Sequence, residues 1–187
     1  NREDLNINDQ IWYVGVDSRE AGSQQGEMLA SAWEHDRETL DRNQNGKIDY
    51  ILVEGEPSHY DTIRRTNAFL ESTQDVLPLN QLEDFSADWS QSEAYQELEV
   101  SDPKTVQSAE AVICNNDDMA LGVYQYYQEN GYPLPVILGI NDKDEVHELI
   151  DQGKIYGTVN QNYEEQVSIL IQIIRKLYEK DSIQQKI

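Results

Sequence analysis

The sequence predicts an α/β protein built on a doubly wound parallel sheet, and three observations carry that expectation. Short β-branched runs, such as Ile48-Asp49-Tyr50-Ile51-Leu52-Val53 and Ala111-Val112-Ile113-Cys114, alternate with longer stretches whose apolar residues recur at helical spacing. Connections of that length act as crossover helices, which make the sheet parallel and cover both of its faces. The 187 residues include one cysteine, Cys114, so no internal disulfide supports the fold, and a chain this long can bury a core without one.

In chain order, Ile11 to Val16 reads as a strand, and Asp17-Ser18 caps a helix from about Glu20 to Glu34 that sets Gly22, Gly26, Leu29 and Trp33 on one face. After the strand from Ile48 to Val53, Gly55-Glu56-Pro57-Ser58 turns into a second helix, with Ser58 as expected N-cap and Ile63, Ala68, Phe69 and Leu70 as apolar contacts. An irregular strand is expected from Leu79 to Phe85, a helix opened by Trp89-Ser90 through about Glu99, and a strand from Ala109 to Cys114. A helix from Asp117 to about Asn130 buries Met119, Ala120, Val123 and Tyr127. Then come a strand from Pro135 to Ile140, a helix from Lys143 to Gln152 and a strand from Ile155 to Val159. A strongly amphipathic helix from Tyr163 to about Lys180 repeats Val167, Leu170, Ile171, Ile174 and Leu177 at helical spacing, and 181–187 carries no clear signal.

The formal net charge of -22 repels nucleic acid and anionic membranes and disfavours polyanionic substrates. It leaves cations and neutral small molecules. No apolar run approaches the about 20 residues of a membrane-spanning helix. The chain opens on the polar Asn1-Arg2-Glu3-Asp4, which is no signal peptide, so any export signal would have been upstream and removed. Cys114, inside an apolar strand, reads as a small buried hydrophobe.

Ligands of such sheets bind beyond the carboxyl ends of the strands. Those ends carry His59, Asp61 and Arg65, then Asn115, Asn116 and Asp117, then Asn141 and Asp142, then Asn160, Gln161 and Asn162. No glycine-rich phosphate loop is among them. Amides, carboxylates, an imidazole and a guanidinium suit a neutral polyol, whose hydroxyls both donate and accept. Trp89 adds a flat face on which a pyranose can stack. Singly, each Asn or Asp is also an ordinary helix cap; their recurrence at four strand ends is the signal. An acid–base pair of His59 and Asp61 is the enzymatic alternative, while His35 and His147 read as solvated.

Asp41-Arg42-Asn43-Gln44-Asn45-Gly46-Lys47-Ile48-Asp49 spaces its oxygens as the first part of an EF-hand calcium loop does, with Gly46 at the turn. Position 12 is Leu52, so a final carboxylate has to come from elsewhere. Glu110, at the start of another strand and at the end of the sheet opposite the crevice, is the candidate. Asp41, Asn43, Asn45, the Lys47 carbonyl, Asp49 and Glu110 would then cage a hard cation, calcium. The alternative is an acidic turn beside an unrelated Glu.

The loop with its distant Glu, together with Gly55-Glu56-Pro57-Ser58-His59-Tyr60-Asp61, Tyr13-Val14-Gly15-Val16-Asp17-Ser18, Ile113-Cys114-Asn115-Asn116-Asp117-Asp118-Met119 and Gly157-Thr158-Val159, resembles the galactose/glucose-binding proteins. These are receptors of ABC-type sugar uptake with the type I periplasmic-binding-protein fold, whose lobes are Rossmann-like. The resemblance implies a calcium site at the residues just named and monosaccharide contacts from His59, Asp61, Arg65 and Asn116, with Trp89 stacking on the sugar. Asn141 stands where the family has an aspartate, and Gln161 where it has an asparagine. An amide cannot supply the charged acceptor a carboxylate offers.

The resemblance also implies that residues 1–160 form the C-terminal lobe, with 1–10 on its hinge side. Residues 161–187 would then belong with an N-terminal lobe whose first elements precede Asn1. The apolar stripe from Tyr163 onward would need that lobe, or a second copy of the chain, to cover it. Its partners would be a monosaccharide and an ABC permease or chemoreceptor, outside the cytoplasm, in the periplasm or as a surface lipoprotein. Sugar-responsive transcriptional regulators share the fold and supply the rival reading.

Overall fold

Five strands, β1 (Ile48–Glu54), β2 (Leu79–Ser86), β3 (Ala111–Cys114), β4 (Val136–Ile140) and β5 (Gly157–Val159), pair in parallel in the order β2-β1-β3-β4-β5. The computed structural model describes residues 13–179. The helices are α1 (Ser18–His35), α2 (Arg37–Leu40), α3 (Tyr60–Thr73), α4 (Gln91–Val100), α5 (Pro103–Ser108), α6 (Asp117–Asn130), α7 (Asp144–Asp151) and α8 (Tyr163–Glu179).

Side-chain alternation along β1 explains the layering. Ile51 and Val53 enter one core with Val112, Cys114 and Ile137, under α4 and α6; Tyr50 and Leu52 enter the other with Ile113, Leu138 and Phe69, under α1 and α3. A strand buried on both faces needs no polar residues between its apolar ones, which is why β1 reads as a nearly continuous apolar run. From β1 the chain runs outward to β2, then doubles back through α4 and α5 to β3 on the other side of β1. Strand order therefore reverses between β1 and β3, and at such a point the flanking helices diverge and leave a crevice at the carboxyl ends.

The close pairing of α1 with α3 depends on Gly22. A Cβ there would sit 2.1 Å from the Arg65 carbonyl oxygen, so only glycine lets the two helices meet at this crossing.

Several expectations are corrected. Ile11 and Trp12 lie outside the described residues, as do 1–10, Lys180 and the tail 181–187; Tyr13 to Val16, which are described, form no strand. Among the described residues no sheet edge pairs with them, and an apolar run without a ladder partner cannot become a strand. His59, rather than Ser58, caps α3: its Nδ1 accepts from the Asp61 N–H at 3.1 Å, while Pro57 and Ser58 form the preceding turn. Ile63 faces solvent, because the buried stripe of α3 runs through Thr62, Arg65, Ala68 and Phe69. The short α2 and α5 were not expected, although Asp102-Pro103 is an N-cap followed by a proline at the first helical position. His147 is exposed as expected, but its Nε2 is bonded to Asp142 Oδ1 at 2.6 Å. No helix among the described residues is long and apolar enough to cross a membrane.

Candidate functional site

The reversal between β1 and β3 puts Gly55 beside Asn115. Asn115 is buried; its Oδ1 accepts from the Gly55 N–H at 3.2 Å, and its carbonyl accepts from Arg65 Nη1 at 2.6 Å. Arg65 is only 6% exposed although it is charged. Burial draws its pKa below the ordinary arginine value, Asp61 pushes it back up, and the guanidinium remains a cation. It lies 5.5 Å over the Trp89 ring, within cation–π range. Its Nε is buried without a hydrogen-bond partner, which leaves a donor unspent in the crevice.

Trp89 is held in place from below. A Cβ at Gly55 would lie 2.3 Å from its ring, so the indole rests directly on the glycine backbone. His59 meets the indole edge-on at 5.1 Å, and Asn116 Nδ2 donates to the Trp89 carbonyl at 3.1 Å. Asp61 Oδ1 accepts from the Ser18 hydroxyl at 2.6 Å. The structure thus brings His59, Asp61, Arg65, Trp89 and Asn116 together. Asn116 also caps α6 through Oδ1, accepting from the Met119 N–H at 2.9 Å, so both ends of its amide are engaged.

Asn141 and Gln161 follow β4 and β5, and among the described residues no side-chain bond links them to the Arg65–Trp89 group. The Asn141 N–H donates to the Val159 carbonyl at 3.0 Å. Gln161 is 8% exposed with Nε2 unpartnered, and it borders a cleft of about 350 Å³ with Asp17, Gln24 and Asn160.

Two residues brace the crevice in a way the sequence alone did not show. Asp117, expected among the crevice polar groups, is fully buried; it accepts from Thr158 Oγ1 at 2.7 Å and from the Lys143 N–H at 2.9 Å, tying the β4 and β5 exits to α6. Gln25, on α1, donates through Nε2 to the Cys114 and Gly139 carbonyls at 2.8 and 3.2 Å. The available signal was a glutamine set between Gly22 and Gly26 on the face already assigned to the core.

The acidic loop lies at the opposite end of the sheet, where β1 begins. Glu110, 1% exposed, reaches it: its carboxylate accepts from the Asp49 N–H at 2.9 Å and the Asn43 N–H at 3.3 Å. Asp41 accepts from the Gly46 N–H, and Asp49 from the Asn43, Asn45 and Asn80 amides. Asn45 Oδ1 accepts from the Lys47 N–H at 2.7 Å. Among the described residues neither Asp49 nor Glu110 has an ion-pair partner, and Arg42 bonds instead to the Ala109 carbonyl. These carboxylates are held by hydrogen bonds alone, and a bound cation would supply the missing counter-charge. No three His, Cys, Asp or Glu side chains among the described residues converge closely enough to hold a metal by themselves. A cation here would thus depend on the amide and carbonyl oxygens as well, with the Asn43 and Asn45 amides turned from the Asp49 carboxylate.

Enzymatic use of His59 finds little support in this geometry, because its Nδ1 is taken up by the cap of α3. Cys114 is fully buried and its thiol is pushed well above 9.0 by that burial, so it serves as packing.

A profile of the periplasmic binding protein domain family matches residues 1–182. The D-galactose/methyl-galactoside binding periplasmic protein MglB of Haemophilus influenzae is 33% identical over 172 residues, which cover 90% of this chain and 51% of that protein. The chain therefore spans about half the length of this relative. A solute-binding protein of an ABC transporter from Actinobacillus succinogenes, solved with D-allose bound, superposes with a TM-score of 0.75 at 23% identity, covering 92% of this chain and 56% of that one. A Mycobacterium smegmatis protein in complex with β-D-fucofuranose gives a TM-score of 0.79 at 20% identity, covering 96% and 57%. These structural likenesses establish the fold.

One electrostatic consequence belongs to this chain's own geometry. Burial raises the Asp117 pKa above 3.8, against the lowering effect of the Lys143 N–H and the Thr158 hydroxyl. A raised carboxyl binds its proton more tightly in the native state, so its contribution to stability is complete below 3.8 and is lost as pH rises through the native value. Carbon-13 titration of the Asp117 carboxyl should give a midpoint above 3.8, moved further up in Thr158→Val. A midpoint at or below 3.8 would contradict the burial argument.

Proposed function

We propose that this chain, which belongs to the periplasmic binding protein domain family, forms one lobe of an extracytoplasmic, non-enzymatic receptor for a neutral monosaccharide. The observation that carries the reading is the unpaired Nε of the buried Arg65 beside the Trp89 ring, with Asp61 and His59 around it. A pyranose offers an apolar face for the indole and hydroxyls for the donor and the carboxylate. The name of the Haemophilus relative supports a hexose ligand. The amides Asn141 and Gln161 offer no charged acceptor, which points away from a galactose/glucose pocket of the family's usual chemistry and towards another neutral sugar. In this reading the intact receptor hands its sugar to an ABC permease or a chemoreceptor.

With contacts shared equally between two lobes, each supplies about half of the binding free energy. If two lobes give micromolar affinity, about -8.2 kcal/mol, one lobe gives about millimolar. Titrating the chain with neutral monosaccharides to ~50 mM should shift the Trp89 indole N–H resonance for at least one sugar, with a dissociation constant on the order of millimolar. An indole signal indifferent to the whole panel would refute the reading.

We infer further that the loop and Glu110 hold calcium as a structural clamp, remote from the sugar. Asp41, Asn43, Asn45, the Lys47 carbonyl, Asp49 and Glu110 would hold it, and the lack of cationic partners for Asp49 and Glu110 supports this. Calcium at about 100-fold over its dissociation constant stabilises by ~2.7 kcal/mol, or a rise in Tm of about 5–10 °C. Glu110→Gln should remove most of that rise. A melting curve blind to calcium would leave the loop an ordinary turn.

The third element of the reading is α8. It has no extended packing partner among the described elements, and Val167, Leu170, Ile174 and Leu177 are 55%, 47%, 56% and 43% exposed. We assign that face to the half of the receptor present in the Haemophilus relative beyond the matched stretch. Until that half is supplied, the chain should self-associate through α8. Sedimentation at ~100 µM should show dimers or larger species that Leu170→Glu with Ile174→Glu converts to monomer. A monomeric parent chain would remove this role.

A further inference from the structure

We propose that Gln25 is a positioning residue that sets the separation between the two strand exits carrying Asn116 and Asn141, and through it the choice between epimeric sugars; the second part rests on the sugar-binding reading. Gln25 is fully buried, and among the described residues its side-chain amide is the one group bonded to the ends of both β3 and β4, at the Cys114 carbonyl (2.8 Å) and the Gly139 carbonyl (3.2 Å). The register of these strands runs Ala111 with Val136, Val112 with Ile137 and Ile113 with Leu138, and goes no further. Cys114 and Gly139 are thus the first pair beyond the ladder, where parallel strands are free to splay. Gln25 spans the gap at that point and holds both carbonyls from the α1 side.

From the other side the same place is closed by Asp117. A Cβ on Gly139 would lie 2.1 Å from Asp117 Oδ1, so the carboxylate presses on the bare backbone of Gly139 while it accepts from Thr158 and the Lys143 N–H. Gly139 is held between a donor amide below and a carboxylate above. The next residues out are Asn115 and Asn116, just past the end of β3, and Ile140 and Asn141, the last residue of β4 and the one after it. A binding site tolerates misplacement of only about 0.5 Å before its hydrogen bonds weaken. A hinge of one residue separates the Gln25 clamp from each asparagine, so a change in strand separation reaches them with little attenuation.

The Gln25 Oε1 is buried and unpartnered, as are Thr62 Oγ1 and Arg65 Nε. Arg65 Nη1 bonds the Asn115 carbonyl, the residue after the carbonyl held by Gln25, so the amide and the guanidinium grip consecutive peptide units of one strand exit. Gln25 is accordingly tied to the crevice through Arg65 as well as through the two strands. A side chain that served packing alone would have no need of an amide here, since methionine fills the same volume.

The test is Gln25→Met in the full chain, with Phe69→Leu, on the buried face of α3 in the core beneath α1 and with no bond to the β3 or β4 exit, as a control chosen for comparable loss of Tm. Structures of the parent and Gln25→Met should show the distance between the Asn116 and Asn141 Cα atoms changed by about 0.5 Å or more, with no such change in Phe69→Leu. An unchanged separation in Gln25→Met overturns the proposal, whether or not any sugar binds. Where sugar binds, the ratio of dissociation constants for two monosaccharides epimeric at one hydroxyl should shift at least about threefold in Gln25→Met and stay constant in Phe69→Leu. A constant ratio in both, with the separation changed, would confine Gln25 to shaping the exits and overturn its part in sugar choice. Absence of binding by the parent chain would strike the sugar reading and leave the distance measurement to decide on Gln25.

Discussion

The rest of the structure depends on one constraint: parallel strands cannot be joined by tight turns. Each connection has to cross the sheet from one end to the other, so every strand starts at one end and finishes at the opposite one. Strand exits consequently collect in one place, and whatever polar residues follow them face a common space. The reversal of strand order beside β1 then opens that space where β1 and β3 end, above the bonded pair Gly55 and Asn115. The acidic loop enters β1 at the other end, and Glu110 enters β3 there too, because the Glu110 N–H bonds the Asp49 carbonyl at 2.7 Å. Separation of the polar crevice from the acidic loop is in this sense a consequence of connectivity.

Much of this was legible in the sequence, for identifiable reasons. Buried parallel strands write themselves as β-branched runs, and all five appear at or near their expected places, from Ile48 to Val159. α6 was legible to the residue because Asn116 caps it and Gly131, with φ 65, ends it. What failed were statements needing a partner. Val14 and Val16 have strand chemistry, but a strand is a relation between two segments. Ser58 and His59 can both cap a helix, and the direction in which the turn at Pro57 delivers the chain decides between them. Ile63 has the right spacing on α3 for either side of its stripe.

The crevice shows the same division. Residues after strand ends could be named one by one, and His59, Asp61, Arg65, Trp89 and Asn116 do meet. The supports could not be named, since their importance lies in backbone atoms far away in sequence. Gln25 acts on carbonyls 89 and 114 residues distant. Asp117 looks like a crevice carboxylate on paper, yet in space it faces inward and is spent on Thr158 and a peptide N–H. A carboxylate that reaches a ligand and one that braces a loop have the same letter and the same neighbours in sequence. Burial distinguishes them, and burial is a property of the whole fold.

The backbone at the β4 exit carries a consequence for how such a site can diverge. Asn141 and Asp142 have φ 133 and 62, on the positive side of backbone space where glycine is at ease; the second value lies in the left-handed region that asparagine and aspartate also enter. Only a handful of side chains are therefore admissible there, and most random substitutions would be discarded for strain before their effect on a ligand mattered. Exchange between aspartate and asparagine passes that filter at no steric cost while it removes or restores a full charge. The position behaves as a two-letter alphabet, in which a single exchange alters the charge at the exit of β4 and leaves the scaffold as it was.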